Sequence, residues 1–399
     1  MTPRNQQGIL ILVLGSLTAI GPFSIDMYLP GFPAIAGDLH TDISHVGLSL
    51  TSYFIGISLG QLGYGPLLDR YGRKRPIIAG LLLYIGAAIG CGLSPTIGWL
   101  VVMRFILAIG SCVGIVAARA IVRDLFSPYE VARIFSTLML VLGVSPIIAP
   151  SAGAFIADTL GWRYIFAVLA AIALAILVAV VRVLPESRQP DKSVSLHPFS
   201  TVRSYLAVFK EPAFVAYGLA SAAVSAGLFS YISDSPFVFM TLYGLSERQF
   251  GLVFSLGACG VIGASQLNRF LLSRKSSREI SITSAFVQCA VTLLLVAGAM
   301  YGAPPVAIIA LLFCYLATIG FLSPNTTALA IEPFTKYAGT ASALMGSLQM
   351  TAGALGSACV SWFHTGTAVP MAVLLLLSAV VSAGLQVGRR RSTQTGGLS

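Results

Sequence analysis

Two ionisable side chains, Asp26 and Arg104, lie well inside apolar stretches of this sequence. Each would cost about 2.5–3.5 kcal/mol to insert against lipid, so groups of this kind face a cavity or one another. A neighbouring guanidinium favours an ionised carboxyl, whereas exclusion of water favours a neutral one. A conformational change that shifts this balance loads or releases a proton. The expected chemistry at Asp26 is therefore proton carriage, with Arg104 at similar depth as its partner; a static buried ion pair is the alternative. Asp234 is the next candidate, near the end of another apolar stretch. It would serve a cationic substrate or a second proton, or be a solvated loop acid.

A second constellation is the turn Gly65-Pro66-Leu67-Leu68-Asp69-Arg70-Tyr71-Gly72-Arg73-Lys74-Arg75 between two apolar stretches. Its bases place it on the cytoplasmic side, since basic residues in short loops stay inside. Asp69 is suited to accept hydrogen bonds from the amino end of a neighbouring helix, and Arg73 to pair with Asp124. Such contacts would hold an inner gate made of Gly65, Asp69, Arg70, Gly72, Arg73 and Asp124 until the protein opens inward; ordinary solvation is the alternative. Gly143, Pro146, Pro150 and Gly153 follow at steps of three, four and three along one helical face, which permits close packing and a bend. Gly56/Gly60, Gly86/Gly90 and Gly110/Gly114 share this spacing and are read as packing positions. Met27, Tyr28, Tyr53, Phe54, Phe229, Tyr231 and Phe237 gather near the ends of the first and seventh apolar stretches and early in the second. They suit the lining of a cavity for aromatic or bulky apolar ligands, or an aromatic belt at the interface. The sequence holds no phosphate-binding loop, His-Glu-x-x-His or plausible triad, and His40, His45, His197 and His364 are isolated. Cys91, Cys112, Cys259, Cys289, Cys314 and Cys359 fall singly in apolar segments, so no metal, disulfide, cofactor or enzymatic activity is expected. Asn325-Thr326-Thr327 matches a glycosylation acceptor but lies at a membrane-segment end.

The elements that must hold these residues are membrane helices. Of 399 residues 56% are hydrophobic and 10% charged, with mean hydropathy +0.87, far from the composition of a soluble domain. At roughly 20 residues per crossing, apolar windows predict helices near 8–30, 44–68, 76–94, 97–121, 131–156, 162–184, 213–234, 248–271, 280–301, 304–325, 337–362 and 367–388. The first window has no obvious signal-peptide cleavage site and is read as retained. The fold expected is an all-α integral membrane protein of twelve transmembrane helices in two six-helix bundles, at 1–184 and 213–399 with a short basic tail, joined by a cytoplasmic linker at 185–212. The net charge of +10 is spread over alternate loops, with only Arg163 and Arg248 in the others. This is the pattern of a multi-pass protein with both termini cytoplasmic, so anionic lipid is the expected electrostatic partner and nucleic acid is not. A faint repeat supports two halves: Phe23-Ser24-Ile25-Asp26 echoes Phe229-Ser230-Tyr231-Ile232-Ser233-Asp234, and the charged turn has a degraded echo in Asn268-Arg269 with Arg274-Lys275. Paired repeats of this kind build transporters with the site between them.

The order Gly-x-x-x-Asp-Arg-x-Gly-Arg-Lys resembles the loop signature of the major facilitator superfamily. Ser24-Ile25-Asp26-Met27-Tyr28-Leu29-Pro30-x-Phe32-Pro33, the run from Arg119 to Asp124, and Gly339-Thr340-Ala341-Ser342-Ala343-Leu344 resemble the Bcr/CflA group of bacterial drug/proton antiporters. That resemblance covers nearly the whole chain and implies an acid in the first helix and an arginine in the fourth at the proton and drug site, matched by Asp26 and Arg104. Ala149-Pro150-Ser151-Ala152-Gly153-Ala154 departs at both flanking glycines from the antiporter pattern Gly-Pro-x-x-Gly-Gly, and Asp234 stands where the group has a small residue. The function implied is proton-driven efflux of small amphipathic compounds, such as phenicol- or bicyclomycin-like antibiotics, by a monomer in the bacterial inner membrane. A metabolite exporter or proton symporter of the same fold, and a transport-dead receptor or scaffold, are the alternatives.

Overall fold

The computed structural model describes residues 3–126, 128–191, 206, 208–334 and 338–395. Its α-helices are α1 (Pro3–Asp26), α2 (Phe32–Asp38), α3 (Ile43–Tyr71), α4 (Lys74–Gly92), α5 (Ile97–Leu125), α6 (Pro128–Thr159) and α7 (Arg163–Val183). There follow α8 (Leu219–Pro236), α9 (Glu247–Leu271), α10 (Ser277–Met300), α11 (Pro305–Ile331), α12 (Ala338–Trp362) and α13 (Val369–Thr395). π-Helical turns at Phe214–Gly218 and Phe237–Leu242 flank α8. Twelve segments among the described residues are long and apolar enough to cross a bilayer, and the protein is a multi-pass, all-α integral membrane protein.

The first span runs on to Asp38, past the end at 30 that the sequence predicts. Pro30 and Pro33 do not stop it because they stand in the opening turns of a 3-10 helix (Leu29–Gly31) and of α2, where a missing N–H breaks no hydrogen bond. Much of the expected linker, residues 192–205 and 207, lies outside the described residues, as do His197 and Lys336.

The helices form two compact units, Met1–His197 with Glu247–Leu252, and Pro198–Ser246 with Val253–Ser399. In the first, α1 packs on α5, α6 and α7, while α4 packs on α5 and α7; in the second, α8 packs on α12 and α13, and α10 on α11 and α13. The pairings α1/α6, α1/α7, α4/α5 and α4/α7 thus recur as α8/α12, α8/α13, α10/α11 and α10/α13. The faint repeat in the sequence corresponds to one packing scheme made twice. Lipid supplies no hydrophobic drive for helices to associate, so small residues that admit a neighbouring backbone carry much of the packing. A Cβ on Gly56, Gly60, Gly90, Gly110 or Gly114 would meet a neighbour at 2.9 Å or less, whereas Gly86 faces open space. Gly153 brings α6 onto the end of the first helix, since its Cβ would lie 2.1 Å from the Met27 carbonyl oxygen.

Candidate functional site

The charged turn is a closed hydrogen-bond cluster built wholly within the first unit. At the end of α3 the chain reverses at Gly72, whose φ of 81° is one that side-chain-bearing residues rarely adopt. Arg73 follows, buried at 4% exposure. Its Nη1 donates to Asp69 Oδ1 at 2.8 Å, and its Nε and Nη2 donate to Asp124 Oδ2 and Oδ1 at 2.8 and 3.5 Å. The guanidinium therefore ties the end of α3 to the end of α5, the pairing with Asp124 that the sequence suggested. Burial works against its charge, but the hydrogen bonds to Asp124 and Asp69 outweigh that and hold its pKa above the ordinary arginine value.

The cap on the neighbouring helix differs from expectation. Asp69 accepts from the side chains of Arg73 and Arg188, the latter at 3.1 Å. The amino end of α4 is capped by Glu186, which accepts from the backbone N–H of Arg73 at 2.6 Å and of Lys74 at 3.3 Å. An anion is favoured there because the first N–H groups of a helix lack internal partners. Glu186 sits so close that a Cβ on Gly72 would come within 2.9 Å of it. Ser187 donates to Asp124 at 3.1 Å, so the segment leaving α7 is fastened to the turn at several points. Gly65 has open space around its Cα, and Arg70 lies over the ring of Tyr71. In the echo of this turn in the second unit an amide stands in place of Asp69: Asn268 Oδ1 accepts from Asn325 Nδ2 at 2.7 Å. The amino end of α10 is closed by its own capping box, Ser276 with Glu279. Asn325 is 1% exposed, a setting closed to glycosylation.

Deeper in the first unit, Arg104 on α5 is wholly buried. Its guanidinium is held between the rings of Tyr28 and Tyr53, at 4.3 and 4.4 Å from their centroids, with Nη1 donating to the Ser24 carbonyl at 2.8 Å. Aromatic faces of this kind stabilise a desolvated cation by about 2 kcal/mol. The polar tips of the same rings are satisfied in turn. Tyr28 Oη meets Ser49 Oγ at 2.8 Å, Tyr53 Oη meets Ser111 Oγ at 3.0 Å, and Ser24 Oγ meets Tyr84 Oη at 2.6 Å. Met27 and Phe54 are buried beside them in sequence, at 2% and 0% exposure.

Asp26 stands apart from this network. No ion pair joins it to Arg104, and among the described residues its carboxyl has no hydrogen-bonding partner, although it is only 4% exposed. α1 ends at Asp26, and Arg104 instead meets the Ser24 backbone carbonyl and the ring of Tyr28, which lies beyond that end. Equal depth in the membrane is thus not contact. The motif on α6 meets the same part of the first helix through Gly153, and Pro146 and Pro150 lie within α6 without ending it; Gly143 is half-buried on it.

In the second unit Asp234 is 6% exposed on α8. Its Oδ1 is 3.9 Å from His364 Nδ1, and its Oδ2 is buried without a partner. Phe237 meets the His364 ring edge to face at 4.2 Å. Tyr231 stacks on Phe254 at 5.9 Å, and Phe229 is pressed against Gly353.

A family model described as Major Facilitator Superfamily matches residues 14–357. The chain belongs to the major facilitator superfamily. It is 35% identical over 379 residues to an uncharacterized MFS-type transporter, YdgK, of Bacillus subtilis, covering 94% of this chain and 93% of that one. To the bicyclomycin resistance protein homolog of Haemophilus influenzae it is 30% identical over 385 residues, with 96% of each chain covered. The crystal structure of a D-xylose-proton symporter has the same fold, with a TM-score of 0.73 at 17% identity over 95% of both chains. The protein is accordingly a secondary transporter that moves a small molecule across a membrane.

Three features of these sites have no clear signal in the sequence. Glu186 and Arg188 stand in the sequence only as linker charges and Ser187 as an ordinary polar residue, although an acid placed just after a helix is a usable capping signal. His364 is 130 residues from Asp234 and isolated in the sequence. The serines around Tyr28, Tyr53 and Tyr84 carry no pattern of their own.

Proposed function

We propose that the transporter exports small amphipathic compounds in exchange for protons by alternating access, as a member of the Bcr/CflA-type drug/proton antiporters. It resides in the bacterial inner membrane as a monomer with both termini cytoplasmic. The observation that carries this reading is Asp26, a carboxyl buried in the first span without a donor or counter-ion. Keeping the ionised form in such a place is expensive, the condition under which a carboxyl takes up and gives back protons as its surroundings change. Arg104 acts on it indirectly, by fixing the helix on both sides of Asp26 through Ser24 and Tyr28. The relative with a bicyclomycin-resistance name supports an antibiotic-like cargo, bicyclomycin- or phenicol-like, and each unit offers amphipathic side chains suited to it, Met27 and Phe54 in the first and Phe229, Tyr231, Asp234 and Phe237 in the second. The Asp69–Arg73–Asp124 cluster serves as the latch of the cytoplasmic gate, and Gly143, Pro146, Pro150 and Gly153 let α6 slide on the first helix. The proton gradient is the energy source.

The test is a compound screen with purified protein in liposomes, reading proton movement when substrate is added. Wild type should move protons opposite to substrate, and Asp26→Asn should abolish this while leaving folded protein in the membrane. Full proton-driven uptake by Asp26→Asn in inverted vesicles would overturn the assignment, and proton movement in the same direction as substrate would make the protein a symporter.

A further inference from the structure

Asp234 is a buried acid with no role in the scheme above beyond the lining. Three observations single it out. First, its Oδ2 has no partner while the residue is 6% exposed, and an orphaned buried acceptor asks for a donor or a proton. Second, its Oδ1 is 3.9 Å from Nδ1 of His364, whose side chain keeps 23% exposure and so reaches from the medium to the acid. Third, the described spans packed on α8 bring no further charge to it over the ranges that follow. The spans packed on α8 hold no other acid or base: α12 over 340–362 offers Cys359, α11 offers Cys314 and Tyr315, and α13 over 369–388 offers no titratable group. On the helix itself only Tyr231 titrates besides Asp234, and α9 from Val253 onward has Cys259 and, at its far end, Arg269. Among the described residues of these elements the base beside Asp234 is the imidazole of His364, the side-chain type that titrates near neutral pH.

We propose that Asp234 and His364 form a second proton-exchange site, separate from Asp26 and loaded through the imidazole from the outer side. Its sidedness rests on the orientation given under Proposed function. A proton from water binds imidazole Nε2; the proton on Nδ1 passes to Asp234 Oδ1, leaving a neutral acid and a neutral imidazole. Unloading reverses these transfers. A shift of roughly an ångström would bring the 3.9 Å contact to a hydrogen bond of about 2.8 Å, beside Phe237, whose ring meets the imidazole edge to face at 4.2 Å.

Proton uptake by purified transporter in detergent, measured by acid–base titration against a matched blank, tests this without any substrate. Asp234→Asn should take up one proton fewer than wild type, Asp26→Asn should also lose one, and the double variant should lose both. Asp234→Glu should restore the count, which guards against a folding artefact, and the infrared signal of a protonated carboxyl should fall in Asp234→Asn. His364→Gln should keep the Asp234 proton but slow its loading at least tenfold in a rapid acid jump. An unchanged count in Asp234→Asn, or unchanged loading in His364→Gln, would overturn the proposal. A loss in Asp234→Asn with none in Asp26→Asn would sustain it while removing Asp26 as proton carrier.

Discussion

Replacing Arg73 by alanine tests whether the charged turn is a structural latch. The substitution removes two short charge-assisted hydrogen bonds, both 2.8 Å, and one longer contact at 3.5 Å. Each charge-assisted bond contributes about 1.5–3 kcal/mol. The carboxylates left behind can rehydrate, since the side chains of Asp124 and Asp69 are 19% and 38% exposed, so the lower figure applies to each and the loss is about 3 kcal/mol. Arg188 is the internal control. Its side chain is 47% exposed and makes one contact at 3.1 Å to the same Asp69, so Arg188→Ala should cost about 0–1 kcal/mol. The two variants should therefore differ by about 2 kcal/mol, more than tenfold in an unfolding equilibrium, read as separate thermal midpoints in detergent. Burial lowers the Arg73 pKa, but Asp124 and Asp69 raise it more, so its folded value lies above the unfolded one. Its stabilisation is thus complete below the ordinary arginine range and is lost only as pH rises through the folded value, and the Arg73 contribution should be flat from about pH 6 to 9. In transport, Arg73→Ala and Asp69→Asn should slow turnover more than they weaken substrate binding. Equal midpoints for Arg73→Ala and Arg188→Ala would refute the latch; unchanged turnover with weakened binding would make the turn part of the substrate site.

Three further outcomes follow from the packing. Gly153→Ala puts a Cβ 2.1 Å from a backbone oxygen of the first helix and should destabilise the protein by about 1–3 kcal/mol and depress transport; an unaltered thermal midpoint would mean that α6 and α1 separate freely. Arg104→Leu should lower stability through the lost ring contacts yet leave proton exchange at Asp26 in place, and a shifted Asp26 titration would reinstate direct pairing. Glu186→Gln should lose about 0.3–1 kcal/mol by removing the negative charge from the amino end of α4, an effect absent if α4 melts no earlier by hydrogen exchange.

What could be read from the sequence is what the bilayer imposes on each segment separately. Apolar length and loop charge are local, so the twelve spans and the charged turn were legible, and so was the pairing of Arg73 with Asp124. Depth is local too, and it placed Asp26 and Arg104 level with each other. Contact, however, needs azimuth as well. The contacts were set by bonds of Tyr84 to Ser24, Ser49 to Tyr28 and Ser111 to Tyr53, made across 60, 21 and 58 positions by residue types that are common in any membrane helix. The same holds for Glu186 at 113 positions from Arg73. Separating Arg104 from Asp26 also has a mechanistic consequence. A buried carboxyl tied to a guanidinium would need that ion pair broken at every proton exchange, a loss of several kcal/mol. With Arg104 held by two aromatic faces and the Ser24 carbonyl, and its Nε and Nη2 buried without a partner, no ion pair to Asp26 has to be broken when that carboxyl changes its protonation.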